Sequence, residues 1–143
     1  MTLQRRDILT YNDERYALNC DILKSYFQTH PASEPEKTGF DSNLHRGYFA
    51  EFEIIGNQLL VVDVSVMVDL DISTGEEISK SVVESTLSNR RLCQWFSGVL
   101  ILFSLSDRPE YLRLKIKEGM VTEMEVLTKQ EYNDLGNHAY DYF

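Results

Sequence analysis

The chain has 143 residues, a hydrophobic fraction of 43%, three prolines and seven glycines. This length suits one domain that buries about two-thirds of its unfolded surface, and the composition excludes a disordered, collagenous or coiled-coil protein. Fourteen basic and twenty-three acidic residues give a formal net charge of −9. Binding to nucleic acid or to an anionic membrane is therefore not expected, because both need a positive protein surface.

The sequence contains no recognisable targeting or membrane-spanning segment. Residues 1–7 include charges but no apolar core of the kind found in signal peptides, and no run of about eighteen apolar residues occurs. Cys20 and Cys93 are too few for a disulfide framework and lack zinc-site spacing. We therefore expect a cytoplasmic protein with two free thiols and no cofactor.

The N-terminal region predicts a hairpin followed by a short helix. Residues 8–11 and 16–18 are β-prone and flank the turn-forming run 12–15. Leu23, Tyr26 and Phe27 then form one apolar stripe of a helix over residues 21–29, which His30-Pro31 ends. The polar run 31–45 is expected to be a loop.

Two alternating runs, residues 48–55 and 60–72, predict a long β-hairpin. A three-residue loop, Gly56-Asn57-Gln58, aligns the apolar faces and sets Ile54 opposite Leu60, with Phe52 opposite Val62. The same register places Glu51 directly opposite Asp63.

The sequence does not decide the secondary structure of the segment after this hairpin, but it clearly predicts the next strand. Residues 73–89 contain capping-box spacing but also several β-branched and hydroxyl residues, so they predict a short helix or an ordered loop. Residues 92–104 are apolar on both faces, which predicts a central, doubly covered strand with Gly98 at a bulge or close approach.

A second hairpin is predicted from residues 111–117 and 121–127, joined by residues 118–120. Its register pairs Lys115 with Glu123 and Arg113 with Glu125 across the strands. Thr128 then begins a helical turn, and an aromatic tail, Tyr140, Tyr142 and Phe143, ends the chain. The whole chain, residues 1–143, is thus expected to form one α+β domain with a mainly antiparallel, curved β-sheet and one to three short helices.

No phosphate-binding loop, dinucleotide fingerprint, nucleophile elbow or zinc-protease motif is present, so a catalytic or metal site is not expected. Negative charge is concentrated in residues 31–90, whose four basic and eleven acidic residues give −7. The cluster that the predicted strands carry comprises Glu51, Glu53, Asp63, Asp69 and Asp71.

Three interpretations of this cluster remain open. Charged side chains on a sheet face are most often idle, solvated surface that discourages edge pairing. The cluster would also suit a docking surface for a basic partner, with Phe49 as an exposed aromatic anchor. Paired carboxylates such as Glu51 and Asp63 could instead serve hydrolysis or metal binding.

Six segments between residues 8 and 121 carry a distinctive series of aromatic, glycine and apolar residues. They are Ile8-Leu9-Thr10-Tyr11-Asn12, Tyr16-Ala17-Leu18, Leu23 with Tyr26-Phe27, Arg46-Gly47-Tyr48-Phe49-Ala50-Glu51-Phe52-Glu53-Ile54, Leu59–Asp63 and Trp95-Phe96-Ser97-Gly98. This series resembles a set of small uncharacterised bacterial proteins, with Phe52 in place of an expected tryptophan. Small acidic bacterial proteins of this kind are often immunity proteins, so the resemblance implies a protein that inhibits a toxin by covering it.

The sequence thus favours a non-enzymatic binding protein that neutralises a basic toxin, with the acidic cluster and Phe49 as its partner-binding residues. An alternative is a small-molecule-binding or hydrolytic domain that uses Glu51 and Asp63 in a pocket of the curved sheet. A third possibility is a component of a larger assembly that has no ligand of its own.

Overall fold

A computed structural model describes residues 6–35, 48–70, 73–74, 77–83, 87, 91–106 and 110–136. Eight strands within them form one sheet: β1 (Ile8–Tyr11), β2 (Glu14–Leu18), β3 (Phe49–Ile55), β4 (Gln58–Leu70), β5 (Glu77–Ser81), β6 (Gly98–Ser104), β7 (Tyr111–Lys117) and β8 (Met120–Leu127). The strand order β3-β1-β2-β6-β7-β8-β4 returns to β3, and β5 pairs with the far end of β4. Seven strands therefore close into a barrel.

This closure corrects the expected curved β-sheet. The expectation was also incomplete in direction, because β1 pairs in parallel with β3 while the neighbouring pairs are antiparallel. Strand β2 runs antiparallel to β1 and ends beside the start of β1. The connection from β2 to β3, which includes a helix, therefore begins at the end of the barrel where β3 starts, and β3 runs parallel to β1. The prediction of a β-rich protein with short helices is confirmed.

The inside of the barrel is filled by apolar side chains from nearly every strand. Leu9, Leu18, Leu100, Leu102 and Leu114 are each 0% exposed. They alternate along their strands with residues that face outward, as the period of two in a strand requires. The side chains of Glu51 and Glu53 on β3 and of Asp63 on β4 therefore lie outside the barrel.

Helix α1 (Leu23–Thr29) confirms the predicted N-terminal helix. Leu23, Tyr26 and Phe27 are its buried residues, and it ends at His30 before Pro31. The Phe27 ring lies 5.2 Å from that of Tyr48, in an edge-to-face arrangement. This ring contact holds the helix against Tyr48, the residue that precedes β3.

Helix α2 (Lys129–Gly136) begins with the capping contacts expected for Thr128. The Glu131 N–H donates to Thr128 Oγ1 and the Thr128 N–H donates to Glu131 Oε1, both at 3.1 Å. Tyr132 stacks on Tyr111, with ring centroids 4.4 Å apart, and meets the edge of Phe103. The helix thus covers the outer face of β6 and β7.

Both long hairpins differ from prediction at their loops. Each has a two-residue turn with positive φ at both positions, Gly56-Asn57 (53° and 71°) and Glu118-Gly119 (50° and 79°). The predicted three-residue loops are wrong because one extra residue, Val62 or Thr122, bulges out of the second strand instead. The bulge restores the alignment of apolar faces that the longer loop was expected to supply.

The bulges preserve the more distant predicted pairs and change the near ones. Glu51 lies opposite Asp63, Arg113 opposite Glu125 and Lys115 opposite Glu123, as predicted. Phe52, however, pairs with Val61 rather than Val62, and Ile54 pairs with Leu59 rather than Leu60.

The region between the hairpins also differs from prediction. Residues 77–81 form strand β5 against β4 rather than a helix or loop. Strand β5 lies on the edge of β4 opposite β3, because among the described residues β8 pairs with β4 at Gln58 and leaves the far part of that edge to β5. Strand β6 begins at Gly98 instead of residue 92, and Val99 is 40% exposed. The predicted strand over residues 92–104 is thus shorter and less fully covered than expected. Residues 140–143 lie outside the described part of the chain.

Candidate functional site

Strand β3 presents one row of side chains on the outer face of the barrel. Phe49, Glu51, Glu53 and Ile55 alternate with Ala50, Phe52 and Ile54, which are buried. Glu51 and Glu53 are partly exposed, and Ile55 is 56% exposed. We call Glu51, Glu53 and the facing Asp63 the acidic patch. An apolar side chain lies at each end of its β3 row.

Asp63 is held in the acidic patch by two serine side chains. Ser65 Oγ donates to Asp63 Oδ2 at 3.0 Å, and Ser81 Oγ donates to Asp63 Oδ1 at 2.5 Å. Ser81 comes from β5, so the strand that was not predicted helps to orient this carboxylate. Hydrogen bonds to a carboxylate are stronger than those between neutral groups, and they offset the repulsion expected between Asp63 and Glu51.

Glu51 has a basic neighbour that sequence analysis missed. Arg15 Nη2 lies 3.7 Å from Glu51 Oε1, with 59% and 41% of the two side chains exposed. The pair forms because β1 lies between β2 and β3, so Arg15 and Glu51 are two strands apart. The pairing of β1 with β3, which sequence analysis did not predict, creates this proximity. The formal charge of the acidic patch with Arg15 is −2.

Glu53 borders a shallow depression at the end of the barrel. The depression has a volume of about 280 Å³ and is lined by Thr10, Asn12, Asp13 and residues 53–55. Asn12 and Asp13 form the tight β1–β2 turn, with φ values of 51° and 64°. A second carboxylate, that of Asp13, therefore lines the same depression as Glu53.

The predicted site residues are only partly brought together. Phe49 lies opposite Ser65 and is partly exposed, so it borders the acidic patch. Asp69 lies on β4 opposite Ile78 of β5, six residues beyond Asp63 and hence about 20 Å along the strand. Asp71 lies outside the described residues. The site therefore centres on Glu51, Glu53, Asp63 and Phe49, and Asp69 is remote from that centre.

A second polar cluster, which sequence analysis also missed, surrounds Glu14. Ser106 Oγ and Ser104 Oγ donate to Glu14 Oε1 at 2.6 and 2.8 Å. These hydrogen bonds, that of Ser106 first, hold the pKa of Glu14 below its usual value. Glu14 lines an open cleft of about 590 Å³, together with Arg15 and Leu105.

The geometry limits what the acidic patch can do chemically. Glu51 and Asp63 lie on the convex outside of a filled barrel rather than in a pocket of a curved sheet. Within the described ranges, no group of three or more histidine, cysteine, aspartate or glutamate residues could hold a metal ion. The arrangement is a cluster of partly exposed carboxylates with an apolar side chain at each end of its β3 row, which suits recognition of a surface.

Comparison with known proteins yields no relative from which a function could be transferred. No family model matches the chain, and no curated protein and no solved structure is significantly similar to it. Among the residues that the structure describes, no helix is long and apolar enough to cross a membrane.

Proposed function

We propose that this chain is a non-enzymatic binding protein of the toxin-immunity type, which covers a basic protein partner with the acidic patch. The observation that carries the proposal is the outward row on β3. Phe49, Glu51, Glu53 and Ile55 lie side by side on it, and Asp63 faces Glu51 from β4. The carboxylates complement a positively charged surface, and the apolar side chains beside them add area that binding removes from water.

Electrostatics supports the choice of a basic partner. The net charge of −9 attracts a cationic protein over long range and raises the rate of encounter. The acidic patch then provides local complementarity, while Phe49 and Ile55 provide apolar area that is removed from water on binding. A toxin that acts on nucleic acid needs a positive surface of its own, and such a surface would fit this patch.

The rigidity of the site also favours recognition. The Asp63 carboxylate is oriented by Ser65 and Ser81, and the β3 backbone is hydrogen-bonded on both edges, to β1 and β4. A rigid barrel wall loses little conformational entropy when it binds. A pre-organised surface of this kind is what a tight inhibitor requires.

Affinity capture with charge-matched variants tests the proposal. The tagged protein and the triple variant Glu51→Gln, Glu53→Gln, Asp63→Asn are used to capture proteins from a lysate of the source organism. We expect the wild type to retain a basic protein in 50 mM salt and to release it in 500 mM salt, because salt screens exposed charges. We expect the triple variant to retain at most a tenth as much of it.

A second triple variant, Glu34→Gln, Glu118→Gln, Asp134→Asn, is the control. All three of its side chains are exposed and lie outside the acidic patch, and it changes the net charge by the same three units, from −9 to −6. We expect it to capture the partner as the wild type does. Equal loss in both triple variants, or in neither, would reject the acidic patch as the binding site.

A further inference from the structure

Among the residues that the structure describes, strand β8 has one edge that lacks a strand partner over most of its length. One edge pairs with β7 from end to end. On the other edge, the β4 contact is limited to the pair Gln58–Met120 and the hydrogen bond from the Val121 N–H to the Asn57 carbonyl oxygen, at 2.8 Å. Because the β3–β4 turn lies at Gly56-Asn57, β8 continues past the tip of that hairpin. Residues 122–127 thus form a free edge among the residues that the structure describes.

The backbone groups on this edge can be assigned from the register. The Val121 N–H points away from β7, so Val121–Ile116 is a pair without mutual hydrogen bonds. Pairs with and without mutual hydrogen bonds alternate along an antiparallel ladder. Because the extra residue of the bulge is on β8, the alternation is counted along β7, where the next residues in pairs without mutual hydrogen bonds are Leu114 and Leu112. Their partners, Met124 and Val126, therefore direct N–H and C=O groups toward the free edge.

The side chains beside these groups have a distinct pattern. Met124 and Val126, on one face, are 51% and 59% exposed, and Glu123 and Glu125 are exposed on the other face. On the paired edge, β7 places apolar residues opposite Met124 and Val126 and basic residues opposite the two glutamates. Arg113 Nη1 lies 3.4 Å from Glu125 Oε2. The sequence of β7 thus shows that a strand in which apolar and basic residues alternate fits beside β8.

We propose that the free edge of β8 binds an extended segment of a partner protein in which apolar residues alternate with lysine or arginine, added to the sheet as a further strand. Main-chain hydrogen bonds from Met124 and Val126 would supply affinity. Glu123 and Glu125 would select basic residues opposite them, as they do on β7. This proposal concerns a surface separate from the acidic patch and does not rest on it.

A second copy of this chain is a poor occupant of the edge. In a symmetric antiparallel pair centred on Met124, Glu123 of one copy lies opposite Glu125 of the other, twice. A pair centred on Glu125 sets Glu125 against itself. Either arrangement opposes like charges directly across strands, which is destabilising, so the same glutamates that attract a basic strand discourage self-association.

Two synthetic octapeptides of identical composition test the proposal. One alternates lysine and valine, and the other has four lysines followed by four valines. We expect the alternating peptide to bind at least tenfold more tightly and to slow hydrogen exchange at the Met124 and Val126 amides at least tenfold. Equal binding of the two peptides, or unchanged exchange at these amides, would overturn the proposal.

Variants then separate this edge from the acidic patch. Val126→Pro removes an N–H that lies outside the β7–β8 ladder, so the barrel should persist while peptide affinity falls at least tenfold. Val126→Thr keeps the N–H and should bind within about threefold of wild type. If Val126→Pro does not fold, hydrogen exchange at the Met124 and Val126 amides of the wild type, with and without the alternating peptide, decides whether the peptide binds this edge. Glu51→Gln, Glu53→Gln, Asp63→Asn should leave peptide binding unchanged, and a tenfold loss there would place the peptide on the acidic patch instead.

Discussion

At the scale of single residues, Asp63 explains how two carboxylates can face each other on neighbouring strands. Glu51 and Asp63 oppose each other as the sequence predicts, which alone would be unfavourable. Ser65 and Ser81 donate to Asp63, and Arg15 approaches Glu51. Neutralising Asp63 therefore weakens its hydrogen bonds with the two serines and also relieves its repulsion with Glu51. We expect the weakened hydrogen bonds to cost more stability than the relieved repulsion returns.

We predict that Asp63→Asn lowers the free energy of unfolding by about 1 kcal/mol, the scale of a partly exposed hydrogen bond to a charged group. Ser81→Ala should cost a similar amount, and the double variant should cost clearly less than the sum because both changes remove one interaction. Urea denaturation of the four proteins measures this cycle. Strict additivity, or stabilisation by Asp63→Asn, would contradict the described contacts.

Tyr16 gives a prediction in alkaline solution. Burial first, and then the nearby Glu110 and Glu14 carboxylates, raise the pKa of Tyr16 to about 12 from an ordinary value of 10.0. The folded state therefore keeps the proton longer than the unfolded state does. The stabilisation is complete below pH 10 and is lost as pH rises toward 12. Denaturation between pH 9 and 12 should show a shallower decline for Tyr16→Phe than for wild type, and parallel declines would refute the assignment.

Gly56 and Gly119 allow a matched comparison of backbone strain. Both have positive φ, but a Cβ at Gly56 would meet nothing within 4 Å, whereas a Cβ at Gly119 would lie 2.8 Å from the Cys93 backbone. We predict a cost of about 1 kcal/mol for Gly56→Ala, from strain alone. Gly119→Ala should cost about 3 kcal/mol, because backbone overlap is added to strain. Equal melting temperatures for the two variants would contradict the packing of residue 119 on residue 93.

At the scale of elements, the two long hairpins follow one plan. Each combines a two-residue turn with a bulge in its second strand, and each keeps the cross-strand pairs beyond the bulge that the apolar pattern requires. Alternation of apolar residues was sufficient to predict the strands and the distant pairs. It could not distinguish a three-residue loop from a short turn with a bulge, because both add one residue to the same hairpin.

The turn at Glu118-Gly119 predicts a stabilising substitution. Glu118 has a φ of 50°, a conformation that asparagine adopts more readily than glutamate, and Asn-Gly is a preferred pair for such turns. We predict that Glu118→Asn raises the free energy of unfolding by about 0.5–1 kcal/mol. The bond from the Glu118 N–H to Ser97 Oγ involves the backbone and should persist. Thermal unfolding measures the effect, and a lower melting temperature would argue against this turn geometry.

At the scale of the whole molecule, closure of the barrel depends on contacts between distant parts of the chain. The Leu59 N–H donates to the Gly119 carbonyl oxygen at 2.8 Å, and the Gly119 N–H donates to the Phe96 carbonyl oxygen at 3.0 Å. These bonds join the tips of the two hairpins to the segment before β6. The alternation of apolar residues within one segment carries no information about contacts between distant segments. The sequence therefore predicted a curved sheet where the structure has a barrel.

The same limit applies to the candidate site. Glu51, Asp63 and the exposed side of β3 were predictable from alternation within one hairpin. Arg15, Ser81 and the Glu14 cluster were not, because each reaches its partner through a strand pairing that joins separate parts of the chain. Chemical character was thus visible in the sequence, but the neighbours that tune it depended on topology.

The central claim is that the acidic patch attracts a basic partner, and association kinetics with the captured protein test it most directly. We expect the association rate of the wild type to fall steeply as salt rises from 50 to 500 mM, since steering by charge is screened. In Glu51→Gln, Glu53→Gln, Asp63→Asn the rate should be lower and the salt dependence weaker, whereas Glu34→Gln, Glu118→Gln, Asp134→Asn should resemble wild type. Identical rates and salt dependence in all three proteins would contradict the claim.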